Sequence, residues 1–339
     1  MKRIVILGAG TGGTMTANRL RRRYGADEAE IHVVDRDDRH AYQPGLLFVP
    51  FGLADPDKLV RSRRGQLRDG IAFHESEIER VSLDDDEVVL ASGETLPYDV
   101  LVVASGTALQ PEETEGLVWS EAVQTFYELE RAVALRDALA RFDGGRLVVD
   151  IVDLPIKCPV APIEFVFLAD WWLRGRGLRD RSEIVLATPL DGCFTKPIAA
   201  EHLSYLLAEK RIDLQTEFSA GEVDGSRLVS YDGRELLFDL LVAVPLHGGA
   251  PTSRGLPAWA TRWGSCPRTR TRCRRKRGRT SSRWGTRPTC RRPRPGRPSI
   301  SRASCWSRTS FASSPAASRR PRTTGTSTAS SRPASARRC

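Results

Sequence analysis

The chain has 339 residues and a formal charge of +10, but the charge is split: residues 1–239 carry 28 basic and 42 acidic side chains, and residues 240–339 carry 24 basic and no acidic ones. A partner inferred from the overall charge would therefore describe neither part. The acid-bearing part, about 250 residues, is long enough for one or two α/β domains with a sizeable core, and no apolar run reaches the roughly 18 residues of a membrane-spanning helix.

The first predicted element is a buried strand, Arg3 to Leu7. It runs straight into Gly8-Ala9-Gly10-Thr11-Gly12-Gly13 and a helix to about Arg23, with apolar positions at Met15, Ala17 and Leu20. A second strand, Ile31 to Val34, ends in Asp35. Strand, glycine turn, helix, strand and acid together make the context of a dinucleotide-binding fingerprint. In that reading Gly8 permits the tight turn, Gly10 lets the backbone approach a pyrophosphate, and Gly13 lets helix and strand pack closely. The helix N-terminus offers amide donors to phosphate, and Asp35 is placed to accept hydrogen bonds from a ribose. The short apolar start leads into this motif, so it reads as a strand rather than a signal peptide.

Residues 39–52 read as a loop rich in Pro, Gly and aromatics. An alternating region from Phe73 to Leu90 reads as an antiparallel insertion. Tyr98 to Val103 is predicted to be a buried strand. It ends in Ala104-Ser105-Gly106-Thr107, a strand ending that returns the chain to the first domain in many flavoproteins, so Ala104 and Gly106 join the candidate cofactor-binding residues. A helix is predicted from Tyr127 to Arg141, then a strand from Gly144 to Val152 that opens a second dinucleotide-type domain. No glycine fingerprint follows it. The turn carries three prolines (Pro155, Pro159, Pro162) and no glycine before a helix from about Ile163, so close cradling of a second pyrophosphate is not expected. The remaining elements are a strand at Ile184 to Ala187, a helix at Lys196 to Lys210, a strand at Leu214, a hairpin at Tyr231-Asp232-Gly233, and a strand at Leu240 to Val244.

Cys158 lies in that second strand–helix turn. Helix amides and the neighbouring Lys157 favour a thiolate there; the alternative is a small buried hydrophobe. Cys193, in a later loop, reads as incidental. His74, His202 and His247 show no ligand spacing, and His32 and His40 stand near the nucleotide loops without a partner, so no metal site is expected. Two cysteines in the first 250 residues do not make a disulfide scaffold, and a cytoplasmic compartment is expected.

Taken literally, the tail is a disordered basic arm of the kind that binds nucleic acid. Its composition also fits a shifted reading frame. Moving the frame back one base makes each new codon end in the first two bases of the old one, which the amino acid nearly fixes. Pro267 to Arg283 then permits P-T-D-P-H-T-L-Q-A-K-A-G-P-D-V-F-A. Trp284 to Cys290 permits V-G-D-A-T-N-L, and Thr323 to Cys339 permits Y-D-G-H-V-N-C-F-I-E-T-G-F-G-K-A-L. These strings have mixed charge and aromatic residues, and D-V-F-A-V-G-D-A resembles the C-terminal flavin-binding signature of two-dinucleotide-domain flavoproteins. One register serves three stretches, so the shifted frame is favoured, with its switch between Pro245 and Trp259, and no specific nucleic-acid partner is expected.

The segments GAGTGGTMTANRL, AYQPGLLFVPFG, KCPVAPIEFVFLADWWLRGRG and PLDGCFTKP together resemble the sulfide:quinone oxidoreductase family of disulfide-oxidoreductase flavoproteins, over about residues 1–250. The alternation of apolar strands and helices predicts an α/β fold of two Rossmann-like domains, at 1–108 and 109–245, followed by the tail at 246–339. The resemblance implies FAD held by Gly8, Gly10, Gly13 and Asp35, and bound non-covalently, since the cysteine that attaches FAD in some members lies upstream of the first redox cysteine and no cysteine precedes Cys158. Cys158 corresponds to that first redox cysteine. The second corresponds to the C of N-C-F-I-E-T-G, which this chain does not encode as cysteine. In such enzymes sulfide attacks a cysteine disulfide or trisulfide, a persulfide forms, and two electrons pass through FAD to a membrane quinone. Glu164 falls where relatives carry an acid near the site. It is a candidate for proton handling or, alternatively, an acid favoured by the helix dipole. Peripheral contact with the inner face of the cytoplasmic membrane is expected of the family, although the encoded tail lacks the amphipathic helices that provide it. Two alternatives stay open: a type II NADH:quinone reductase on the same fold, against which the missing second glycine motif argues, and a nucleic-acid-binding protein acting through its basic tail.

Overall fold

The computed structural model describes residues 1–249, so the reading of the tail from residue 250 onward lies outside the described residues. In chain order the first half contains β1 (Lys2–Leu7), α1 (Thr11–Arg23), β2 (Ala29–Asp35), β3 (Arg39–Ala41), β4 (Val60–Ser62), β5 (Ile71–Glu75), β6 (Ile78–Ser82), β7 (Glu87–Leu90), β8 (Thr95–Pro97), β9 (Val100–Val103) and β10 (Thr107–Leu109). The second half contains β11 (Val123–Gln124), α2 (Leu129–Arg141), β12 (Gly145–Ile151), α3 (Ala161–Gly175), β13 (Ser182–Ala187), α4 (Pro197–Glu209), β14 (Ile212–Gln215), β15 (Ala220–Asp224), β16 (Arg227–Ser230), β17 (Glu235–Leu237), β18 (Leu240–Val244) and β19 (His247–Gly249).

The first parallel sheet has the order β5-β2-β1-β9. From Ile4 on, β1 is buried on both faces, which is why it reads as a continuous apolar run. Ile4 and Ile6 face α1 with Ala17, Ile31 and Val33. Val5 and Leu7 face the antiparallel sheet β6-β7-β8 through Val81, Val88, Leu90 and Tyr98. β9, predicted to be buried, is the last strand of this sheet among the described residues, with Val100 and Val103 each 44% exposed.

The second half repeats the plan. An all-parallel sheet has the order β11-β18-β12-β13-β14. Leu147, Val149 and Ile151 face α2 and α3, and Val148 and Val152 face β15-β16-β17. Two ties join the halves. β10 pairs antiparallel with β19, Thr107 opposite Gly249 and Leu109 opposite His247. The segment read as a loop folds as a 3-10 helix, Gln43–Phe51, closed by Gly52 in the left-handed region. Its Leu47, Val49 and Phe51 enter the α2–α3 core, where Phe51 lies 5.0 Å from Phe165 between ring centroids. A buried ion cluster pins the end of α3. Asp170, 1% exposed in its side chain, accepts from Arg174 at 3.0 Å, Arg179 at 2.7 Å and Lys210 at 3.3 Å. Burial pushes its carboxyl up, but these three cations outweigh burial and hold it below the usual carboxylate range.

Candidate functional site

The glycine turn between β1 and α1 separates into two kinds of position. A side chain at Gly8 would meet the Ala104 carbonyl oxygen at 2.5 Å, and its φ of +99° is one L-residues rarely adopt. A side chain at Gly13 would drive into the Gly8 carbonyl. Both are glycines because the protein itself leaves no room. Gly10 differs: its backbone is ordinary (φ −71°, ψ −172°), and a Cβ there would meet nothing within 4 Å. Gly106, at φ +75°, also faces open space. α1 begins with no side-chain cap and no acid in its first turn, so amides at its N-terminus are left for an anion. Next to Gly106 in the chain, the Thr107 hydroxyl is buried without a partner among the described residues. This donor set and the cleared space fit the pyrophosphate of a dinucleotide.

Asp35 does more than wait for a ribose. Its Oδ2 accepts the Ala9 amide at 2.7 Å and a guanidinium hydrogen bond from Arg63, and its Oδ1 accepts the Arg36 amide at 2.9 Å. The acid thus anchors the glycine turn, and of its roughly four lone-pair positions one remains for a ligand hydroxyl. Arg63 also donates to Asp37 at 3.3 Å and to the Arg39 carbonyl at 3.1 Å. Nothing in the sequence singled it out, because it reaches Asp35 from a separate turn. Two expectations are corrected here. His32 Nδ1 lies 3.0 Å from His74 Nε2, and His74 Nδ1 lies 3.1 Å from Glu94. His40 Nδ1 lies 3.4 Å from the Ala9 carbonyl. The His32 pairing follows from the adjacency of β2 and β5, which composition could not reveal. Among the described residues no group of three or more His, Cys, Asp or Glu is placed to hold a metal ion.

The β12–α3 turn carries Cys158, exposed, as a free thiol. It stands two residues before the N-cap of α3, Val160, and its own backbone is left-handed, with φ +46°. Its carbonyl accepts the Ala161 amide at 3.0 Å and the Tyr127 hydroxyl at 3.2 Å. Tyr127 was predicted to start a helix; instead it precedes α2, its ring stacked on Phe126 at 4.6 Å and set edge-on to His247 at 4.8 Å. Burial, then the charges of Cys158 and Glu164, push its phenol well above the ordinary value. Glu164 is exposed in the first turn of α3, six residues after Cys158. Beneath the turn, burial lowers the Lys157 ammonium, partly offset by Glu128. His247 is 2% exposed. Its amide donates to the Pro155 carbonyl at 3.1 Å and its Nδ1 donates to the Pro245 carbonyl at 3.0 Å, which leaves Nε2 an acceptor with no partner among the described residues. Burial, then Lys157, lowers it to about 4 against the pull of that carbonyl. Asp150, next to last in β12, is also fully buried, both oxygens without a partner among the described residues, and burial alone pushes it well above its usual range. Cys193 is buried apart in a hydrogen-bonded niche, its Sγ 3.4 Å from the Ala200 carbonyl and 3.4 Å from Ser204. Tyr127 and His247 carry no motif; only the fold gathers them at the turn that holds Lys157 and Cys158.

Residues 2–149 match the family model of pyridine nucleotide-disulphide oxidoreductase. The chain is similar to the mitochondrial sulfide:quinone oxidoreductase of Mus musculus, 26% identical over 241 residues that cover 70% of this chain and 52% of that protein. It is also similar to the type II NADH:quinone oxidoreductase of Haemophilus influenzae, 30% identical over 284 residues that cover 71% of this chain and 63% of that protein. Among solved structures, the sulfide:quinone oxidoreductase of Aquifex aeolicus superposes with a TM-score of 0.65 at 19% identity, over 76% of this chain and 62% of that one, a likeness of fold. The chain spans about half the length of the first of these curated relatives.

Proposed function

We propose that the chain is a flavoprotein oxidoreductase of the sulfide:quinone type, within the pyridine nucleotide-disulphide oxidoreductases whose family model residues 2–149 match. The observation that carries this reading is the exposed Cys158, presented on the strand–helix turn where a second glycine fingerprint would stand. Gly8, Gly10, Gly13, Asp35, Ala104 and Gly106 would hold FAD, with the space at Gly10 and the uncapped N-terminus of α1 available to its phosphates. FAD, when bound, supplies a two-electron acceptor. Cys158 takes up the sulfur of sulfide as a persulfide, the sulfur rising from the sulfide to the zero-valent level while two electrons and two protons convert a quinone to its quinol. Glu164, exposed at the same turn, holds or receives a proton released by sulfide. The scheme needs a second thiol, because a persulfide on one sulfur leaves the other as the leaving thiolate. That partner belongs to the shifted-frame reading of the tail, outside the described residues.

The test is Cys158→Ser in a chain whose frame has been restored. The variant is expected to keep its flavin and to lose bleaching of that flavin by sulfide, since different residues hold the cofactor and handle the sulfur. Bleaching at an unchanged rate would make Cys158 structural. A second reading, a type II NADH:quinone reductase, is favoured by the 30% identity to the Haemophilus influenzae protein. Against it stands the turn from Val152 to Val160, which has no glycine to admit a second pyrophosphate. Bleaching by NADH but not by sulfide would establish the second reading over the first.

A further inference from the structure

We propose that Tyr127 is a positioning residue for Cys158, its hydroxyl holding the cysteine backbone in the conformation that turns the thiol outward. The inference rests on the assignment of Cys158 as the sulfur-binding residue. Cys158 has φ +46°, a region that residues with a Cβ adopt only when the surroundings enforce it. Two donors converge on its carbonyl, the Ala161 amide at 3.0 Å and the Tyr127 hydroxyl at 3.2 Å. The first is local to the turn and would accompany many turn conformations. The second comes from 31 residues away and is fixed in space, because the Tyr127 ring is clamped. Phe126 stacks on it at 4.6 Å and itself lies nearly parallel to Phe165 of α3 at 5.0 Å, 8° between planes. His247 closes the other side edge-on at 4.8 Å, and its amide holds the Pro155 carbonyl at 3.1 Å. The turn is thereby gripped at both ends, by Tyr127 at Cys158 and by His247 at Pro155. Burial, with the charges of Cys158 and Glu164, also keeps the Tyr127 proton in place, so the hydroxyl remains a donor across the working pH range.

The experiment uses the full chain, neither flavin nor sulfide, and Tyr127→Phe, which keeps the ring and its packing and removes only the donor. Iodoacetamide labelling is followed over time and pH, with each cysteine read at its own peptide by mass spectrometry, so that tail cysteines do not confuse the count. Cys193, buried at 1% exposure, is the internal control for loosening of the fold. The expected result is labelling of Cys158 slowed roughly fivefold across the pH profile, the factor one lost hydrogen bond is worth, with Cys193 unchanged. An unchanged rate at Cys158 overturns the proposal. Faster labelling at both cysteines also overturns it, since that is the signature of a tyrosine needed only for packing. Because no sulfide chemistry is measured, failure here is separate from failure of the proposed activity, which the flavin-bleaching assay of Cys158→Ser decides.

Discussion

At His247 burial decides the protonation state. The imidazole is lowered to about 4 by burial and by Lys157, while a solvated histidine titrates near 6.5. The folded state therefore favours the neutral ring. Its contribution to stability is complete above about pH 6.5 and is lost as the pH falls through the window down to about 4, amounting to about 3 kcal/mol over the whole window. His32 acts in the same direction, lowered first by burial and then by His74. The expected outcome is a melting temperature that falls steeply between pH 7 and pH 4.5, with a visibly shallower slope in His247→Gln. Parallel slopes for the two proteins would place the acid sensitivity elsewhere. Little of this was legible beforehand. His247 had no spacing that marked it, and its neighbours come from two other segments: Tyr127 before α2, and Pro155 and Lys157 in the β12–α3 turn.

At the scale of elements the glycine turn was the most readable feature, since strand, turn, helix, strand and acid follow one another in the chain. The division of labour within it was not readable, because it depends on what each missing side chain would touch. Gly13 meets the Gly8 carbonyl and Gly10 meets nothing. Gly13→Ala is therefore expected to destabilise the fold itself, by about 1–3 kcal/mol as overpacking does. Gly10→Ala, at φ −71°, should leave the melting temperature of the flavin-free protein unchanged or slightly raised while weakening FAD binding. Thermal melting and flavin titration on both variants separate the two; equal loss of stability in both would mean that Gly10 is also packed. The segment Gln43–Phe51 shows the opposite limit. Its two prolines and lack of any period mark a loop, yet Leu47, Val49 and Phe51 supply core to α2 and α3. Periodicity could not announce it, because a 3-10 helix interrupted by Pro50 has neither the strand nor the α-helix repeat.

At the scale of the molecule, each half sets a parallel sheet against a three-stranded antiparallel sheet on one face and α-helix on the other, α1 in the first half and α2 and α3 in the second, and β10–β19 and the 43–51 segment join them. That plan was legible because buried parallel strands read as unbroken apolar runs, as Ile4 to Leu7 and Leu240 to Val244 do. The exposure of β9 was not, because Val100 to Val103 has the composition of a central strand. The sequence-level case for a shifted reading frame and the proposed activity meet in one experiment: the encoded chain and a chain restored by one base between codons 245 and 259 are expressed side by side, and bound flavin and sulfide-dependent quinone reduction are measured on both. The account predicts turnover with full flavin in the restored chain, and reduced flavin with no turnover in the encoded one. Equal activity in the two would show that the encoded tail is genuine and contradict the account.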